Sequence, residues 1–83
     1  MKTTGFCIFI DTVGEGRVPS LRDEHNRPFV FETRNEAERE IVDLMQTRLQ
    51  EFLDGERDFE DAITTEEYVE EVVVFPDGNV RPI

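Results

Sequence analysis

The stretch from Thr33 to Gly55 constrains the fold of this chain more than any other. Apolar side chains recur at Ala37, Ile41, Leu44, Met45, Leu49, Phe52 and Leu53, which is a helical period. Thr33 and Glu36 have the spacing of a capping box, with Asn35 and Glu38 as the rival register. Gly55 suits the left-handed position just past a helix end. A helix of about twenty residues, roughly 30 Å long, follows from these signals. Its seam is not a heptad, because Arg48 and Glu51 would fall on core positions. Such a helix needs a sheet to lie on, not a coiled-coil partner.

The flanking segments supply that sheet. In Gly5–Asp11, Phe6, Ile8 and Ile10 alternate with Cys7 and Phe9, so both faces are apolar and the strand belongs at the centre, covered twice. Thr12–Gly16 reads as a turn. Val18–Leu21 reads as a short strand that Pro19 confines to an edge. Asp23-Glu24-His25-Asn26 has turn chemistry, and Phe29-Val30-Phe31 reads as a third strand. Residues 56–67 are ambiguous: Phe59, Ala62 and Ile63 anchor either a loop or one helical turn. The capping-box spacing of Thr64 and Glu67 points to a short turn of helix starting there. Val69–Phe75 is β-branched and aromatic. Pro76-Asp77-Gly78-Asn79 is a strong turn, and Val80–Ile83 returns as a short strand in which Pro82 ends the pairing. The expectation is a single α+β domain over residues 1–83: an antiparallel sheet of about four or five strands with one long amphipathic helix packed on one face.

Charge is the second constraint. The chain has 20 acidic and 9 basic residues, a formal net charge of -11. Residues 1–31 and 72–83 each sum to zero, so the whole imbalance lies in residues 32–71, with fifteen acids and four bases. On the helix, Glu36, Glu40, Asp43, Glu51 and Asp54 fall within an arc of about 80° that holds no Lys or Arg. Like charges three and four positions apart destabilise a helix slightly, and a purely structural helix usually intersperses bases. Glu56, Asp58, Glu60 and Asp61 extend the run. One reading is an ordinary solvated face. The other is a functional anionic surface that imitates part of a nucleic-acid strand. A body of this charge repels phosphate backbones and anionic membranes, so direct nucleic-acid or membrane binding is disfavoured and basic protein surfaces are the expected partners.

Catalytic and metal chemistry is thinly represented. His25 is the only histidine and lies in a turn, which excludes a multi-histidine metal site. Cys7, the only cysteine, has no basic neighbour, reads as a buried inert thiol and can form no internal disulfide. Gly14-Glu15-Gly16 lacks the third glycine and the helix of a phosphate loop. The carboxylates from Asp54 to Asp61 hint at a calcium loop, but Phe59 stands where its glycine belongs and Thr65 where its closing Glu belongs. No base–nucleophile pair is visible, so the chain reads as non-enzymatic and without a cofactor. No apolar run reaches the ~20 residues of a membrane span and no secretory signal is visible, which with the unpaired thiol gives a cytoplasmic expectation.

The run Val72, Val73, Val74 and Phe75 has two readings: a strand buried on both faces, or an exposed edge that pairs with a second copy or a partner sheet. In the latter case the protein is an assembly module and its acidity serves only solubility. Finally, Phe31-Glu32-Thr33-Arg34-Asn35-Glu36-Ala37, the acidic helix and the late Asp77-Gly78 turn together resemble small acidic orphan proteins of phages and plasmids. These include certain anti-CRISPR proteins and other DNA mimics. The resemblance implies an inhibitor that covers the basic groove of nucleic-acid-binding machinery; it assigns no role to any single residue.

Overall fold

The structure is a computed structural model that describes residues 2–83. Four antiparallel strands and two helices follow in the order β1 (Thr3–Thr12), β2 (Gly16–Pro19), α1 (Arg34–Leu53), α2 (Phe59–Ile63), β3 (Tyr68–Val74) and β4 (Val80–Pro82). The sheet order is β2-β1-β3-β4. β1 is therefore central, as its two apolar faces require. Its N-terminal part pairs with β3, Gly5 opposite Val72 and Phe9 opposite Tyr68. Its C-terminal part pairs with β2, Phe9 opposite Pro19 and Thr12 opposite Gly16.

Both faces of β1 are covered, by different parts of the chain. On one face Cys7 and Phe9 join Val72 in a buried cluster, with Val30, Tyr68, Val74 and Val80 packed around it. Val30 packs on this cluster and Asn26–Pro28 border Phe9, while Leu21 and Phe29 reach towards Glu40 of α1. On the other face Ile8 is buried, and α1 crosses β1 and β3. Arg34 at the start of α1 stacks its guanidinium 5.4 Å from the Phe6 ring and donates to the Val69 carbonyl at 3.4 Å.

The expected third strand does not form. Phe31 makes a single bridge to Phe6, donating to its carbonyl at 2.8 Å and accepting from its N–H at 2.9 Å. Pro28 brings no N–H to a ladder, and Val30 turns inward above Gly5. The bridge continues the edge of β1 that β2 leaves open, where the Ser20 N–H donates to the Ile8 carbonyl at 2.8 Å. Nor does helix start at Thr64: that residue is the extended C-cap of α2, and its hydroxyl donates back to the Glu60 carbonyl at 2.7 Å. Of the two readings of residues 56–67, the helical turn is the one adopted, as α2.

Of the two readings of Val72, Val73, Val74 and Phe75, the exposed edge is not the one adopted. β3 is paired with β1 on one side and with β4 on the other, Val73 facing Thr4 and Arg81, Val74 facing Thr3 and Val80. The chain closes this side itself through the Pro76–Asn79 turn, in which Phe75 N–H donates to the Asn79 carbonyl at 2.9 Å and Gly78 takes φ 89°. Pairing also runs past Pro82, since the Ile83 N–H donates to the Glu71 carbonyl at 3.1 Å. Proline's missing N–H matters only when it points at a partner strand.

α1 begins and ends at the expected caps. The Thr33 hydroxyl accepts from Glu36 N–H at 3.1 Å, and the Glu36 carboxylate reaches back to the Glu32 N–H at 3.3 Å, one residue earlier than in the standard box. At the other end Glu56 N–H donates to the Glu51 carbonyl at 2.8 Å and Gly55 N–H to the Phe52 carbonyl at 3.0 Å, a Schellman arrangement with Gly55 at φ 79°. Only Ala37 of the helix is buried. Ile41, Leu44 and Met45 are half-buried, while Leu49, Phe52 and Leu53 are exposed. The helix is thus seated at its N-terminal half and projects beyond the sheet, where α2 packs under it. The molecule measures 48 × 28 × 22 Å.

Candidate functional site: the acidic flank of α1 and the following loop

The helix geometry decides where each carboxylate stands. Glu36, Glu40, Asp43, Glu51 and Asp54 share the flank that turns away from Met45, Leu49 and Leu53. Glu36, at the first turn, is exposed and serves the cap. Glu40 is half-buried and lines a shallow hollow with Leu21, Arg22, Phe29 and Phe31. Asp43 is exposed; Thr47, in the gap of the stripe, donates its hydroxyl to the Asp43 carbonyl at 3.1 Å. Asp54 is exposed and accepts from the Gln50 amide at 3.0 Å.

The loop and α2 add the remaining acids. Glu56, Asp58 and Asp61 line one hollow together with Gly55 and Arg57. Glu60 is exposed on the first turn of α2. Asp58 stands at the N-cap of α2 without a side-chain cap bond, so its carboxylate is not consumed by the helix end.

Counter-charge reaches this surface through one residue that sequence reading did not single out. Arg57 is held at 2.9 Å from Glu51 and 2.7 Å from Asp61, so it ties the end of α1 to α2. Its hydrogen bond to Glu51, ahead of that to Asp61, raises its pKa and keeps it protonated. Most of the other arginines are occupied elsewhere. Arg48 pairs with Glu67, Arg27 with Asp23 at 3.6 Å, and Arg17 with Glu70 at 4.0 Å. Arg22 donates to the Asn26 carbonyl at 3.1 Å. Among the described residues Arg39 makes no ion pair within 4.0 Å. Of the nine carboxylates named from sequence, Glu51 and Asp61 are ion-paired, both by Arg57; among the described residues Glu36, Glu40, Asp43, Asp54, Glu56, Asp58 and Glu60 make no ion pair.

Arg48 explains why a basic residue occupies the packing side of α1. It forks onto Glu67, with one nitrogen at 3.2 Å and a second, shorter contact, and also reaches the Thr64 carbonyl at 3.4 Å. The Arg48 hydrogen bonds hold the Glu67 carboxyl at a pKa of about 2. Arg17, Arg22 and Arg27 gather around a hollow on the β1 face that carries Phe9, and of these Arg22 also borders the hollow that holds Glu40 of the acidic flank.

The other candidate groups are structural or exposed. Cys7 is buried and its pKa is pushed up to about 11 by that burial. Asp23 organises its turn, accepting from the His25 and Arg27 N–H groups at 2.8 and 2.9 Å; the Arg27 bond is the main cause of its lowered pKa. His25 is exposed beside Glu24 at 3.5 Å. Among the described residues no cluster of three or more His, Cys, Asp or Glu is arranged to hold a metal ion, and no helix is long and apolar enough to cross a membrane. No protein-family model matches the chain, and neither a curated protein nor a solved structure does.

Proposed function

We propose that the protein is a non-enzymatic inhibitor or modulator that presents the acidic flank of α1, continued by residues 56–61, to a basic groove on a nucleic-acid-handling protein. The observation that carries this reading is that, among the described residues, seven of the nine carboxylates make no ion pair, four on this flank of α1 and three in the loop and α2, while Arg57 pairs with the other two. From Glu36 to Asp54 the stripe runs about 27 Å at ~1.5 Å per residue. Its five carboxylates stand on average about 7 Å apart along the axis, with a gap of about 12 Å between Asp43 and Glu51, against one phosphate per ~3.4 Å on a nucleic-acid strand. Its linear charge density is therefore at most roughly half that of a single strand, which suits it to compete for part of a groove lined with Lys and Arg.

Such a complex forms quickly and weakens as salt rises, because its charges are exposed and screened over ~8–10 Å. The test begins with capture of the partner from host lysate at low salt and its elution on a salt gradient. Affinity for that partner is then compared between the native chain and the triple variant Asp43→Lys, Asp54→Lys, Glu60→Lys. The variant is expected to bind at least tenfold more weakly, with a flatter salt dependence. Equal binding by the two proteins would mean that the flank is solvated surface and nothing more.

A further inference from the structure

The side of α1 opposite the acids has a different character. Val42, Leu49, Phe52 and Leu53 are 51%, 39%, 37% and 72% exposed. The patch continues onto α2: the Phe59 ring lies 5.4 Å from that of Phe52, and Phe59 and Ile63, four apart on one helical face, are 54% and 49% exposed. Applied to the about 150–250 Å² of a large side chain, these fractions leave on the order of 600 Å² of apolar surface in water. That is the upper limit of what monomers show.

We infer that this flank is the joint of a homodimer, a second copy of the chain laying its own α1–α2 flank against it. Three observations choose this occupant. The first is the missing burial. The chain exposes 5984 Å², whereas a monomer of 9.7 kDa is expected to expose about 5100 Å². The surplus of roughly 900 Å² matches the ~800 Å² that each partner contributes to a standard interface. The Cα radius of gyration, 14.3 Å, likewise exceeds the about 12 Å of a self-contained chain this long.

The second is spacing. Val42, Met45, Leu49 and Phe52 recur at three and four residues, the pattern of a helix–helix seam. This seam is distinct from the one that faces the sheet. A second copy offers the same spacing, so the joint is self-complementary, as a two-fold interface requires.

The third is charge. From Ile41 to Leu53 this flank and its outer border, Gln46 and Gln50, hold no charged residue, in a chain that is 35% charged. The one charge on this line is Glu38, exposed one turn before Val42, so a partner selected by basic charge finds a single carboxylate at its end. The five acids of the stripe lie about 170° away around the helix, so pairing two such flanks turns the acidic stripes outward. Each helix is about 10–12 Å across, which sets the stripes at least about 20 Å apart, beyond two screening lengths at physiological salt. The net charge therefore does not forbid the joint.

Sedimentation equilibrium over concentrations up to about 0.5 mM, at low and high salt, tests this directly. The expected result is a twofold mass that is unchanged or strengthened by salt, the opposite trend to a complex made through the acidic flank. Val42→Glu combined with Leu49→Glu should weaken dimerisation by at least a hundredfold while leaving the far-UV circular dichroism unchanged, since both sites are exposed in one copy. In parallel, methyl resonances of the native chain should shift with concentration at Val42, Leu49, Leu53 and Ile63 and stay fixed at Val72. A native chain that is monomeric throughout, a dimer that survives the double substitution, or concentration-dependent shifts confined to other methyls would each overturn the inference.

Discussion

Glu67→Gln isolates the interaction that fastens the projecting part of α1 to the rest of the molecule. The Glu67 side chain is 9% exposed and that of Arg48 21%, so the ion pair is largely shielded from water. The substitution keeps the size of the side chain and part of its hydrogen bonding, yet it leaves Arg48 without a counter-charge. A charge-assisted hydrogen bond of this kind contributes about 1.5–3 kcal/mol. The depressed pKa gives an independent figure. A fall from 4.5 to about 2 corresponds to an upper limit of about 3 kcal/mol at ~1.4 kcal/mol per unit. Both point to a loss of about 2 kcal/mol at neutral pH, or roughly 8–16 °C in Tm for a domain of this size. The sign is fixed by linkage. A carboxyl whose folded pKa lies below its unfolded one stabilises the fold above about pH 4.5, and the contribution is lost as pH falls from there through about 2. The stability of the native chain alone will not show this cleanly, because protonating the many unpaired carboxylates relieves repulsion over the same range. The difference between native and Glu67→Gln chains cancels that background. Urea unfolding of both proteins between neutral pH and about pH 2 is the assay. A difference near 2 kcal/mol that disappears with acidification supports the account. One below about 0.5 kcal/mol at neutral pH, or one that persists undiminished in acid, refutes it.

Gly5 lies against Val30, where an added Cβ would collide with the Val30 Cγ1 and approach the Phe31 carbonyl oxygen to 3.1 Å. Gly5→Ala should therefore cost about 1–3 kcal/mol by overpacking and lower the urea midpoint by roughly 1 M; an unchanged midpoint would show that the Phe31 bridge yields freely. Cys7 should resist thiol reagents at pH 8 in the folded chain and react promptly once urea unfolds it, because burial raises its pKa from 9.0 to about 11. The stability linked to its neutral form is complete below about pH 9 and is lost as pH rises through about 11, so prompt native-state labelling at pH 8 would contradict the buried placement.

The legible parts of this fold are those written in local chemistry. Thr33, Gly55 and the Pro76–Asn79 turn each act within a few residues, and each is found as expected. The central place of β1 was equally readable, since Phe6–Ile10 can satisfy two apolar faces only between two layers. What escaped was non-local. Glu67 was read as part of a capping box with Thr64, but its partner is Arg48, nineteen residues earlier, across a contact no local pattern encodes. Phe29–Phe31 shrank to one bridge because β2 and Ser20 already use part of the same edge of β1, whereas the strand returning at Val80, which removes the edge alternative at Val72–Val74, was legible. One miss had a visible signal. From Leu44 to Leu53 the apolar positions of α1 sweep about 180° around the helix, whereas a packing stripe needs only somewhat more than ~100°. A seam that wide cannot be hidden by one sheet, and the surplus is what emerges on the Leu49–Leu53 flank.

The same helix therefore carries two opposed demands, and its arginines show how they are reconciled. In residues 32–71 there are four bases for fifteen acids. Arg48 joins α1 to Glu67 ahead of β3, Arg57 joins it to α2, and Arg34 seats its first turn on Phe6 and Val69. Three of the four thus act as fasteners between elements, where a charge-assisted bond contributes most, and of these Arg57 also offsets charge on the acidic flank, at Glu51. Arg17 adds one bridge to Glu70 from outside the segment, and eleven of the fifteen acids keep no ion pair among the described residues. Stability alone would favour spreading these few bases among the carboxylates of α1. Their concentration at the joints leaves Glu36, Glu40, Asp43 and Asp54 without an ion pair among the described residues, at the cost of self-repulsion. That cost is small because solvent screens neighbouring carboxylates at roughly 0.2–0.5 kcal/mol per pair. Release of Arg48 and Arg57 would remove the ionic ties that hold the distal end of α1 to Glu67 and to α2, and leave the Phe52–Phe59 contact to keep the two helices together.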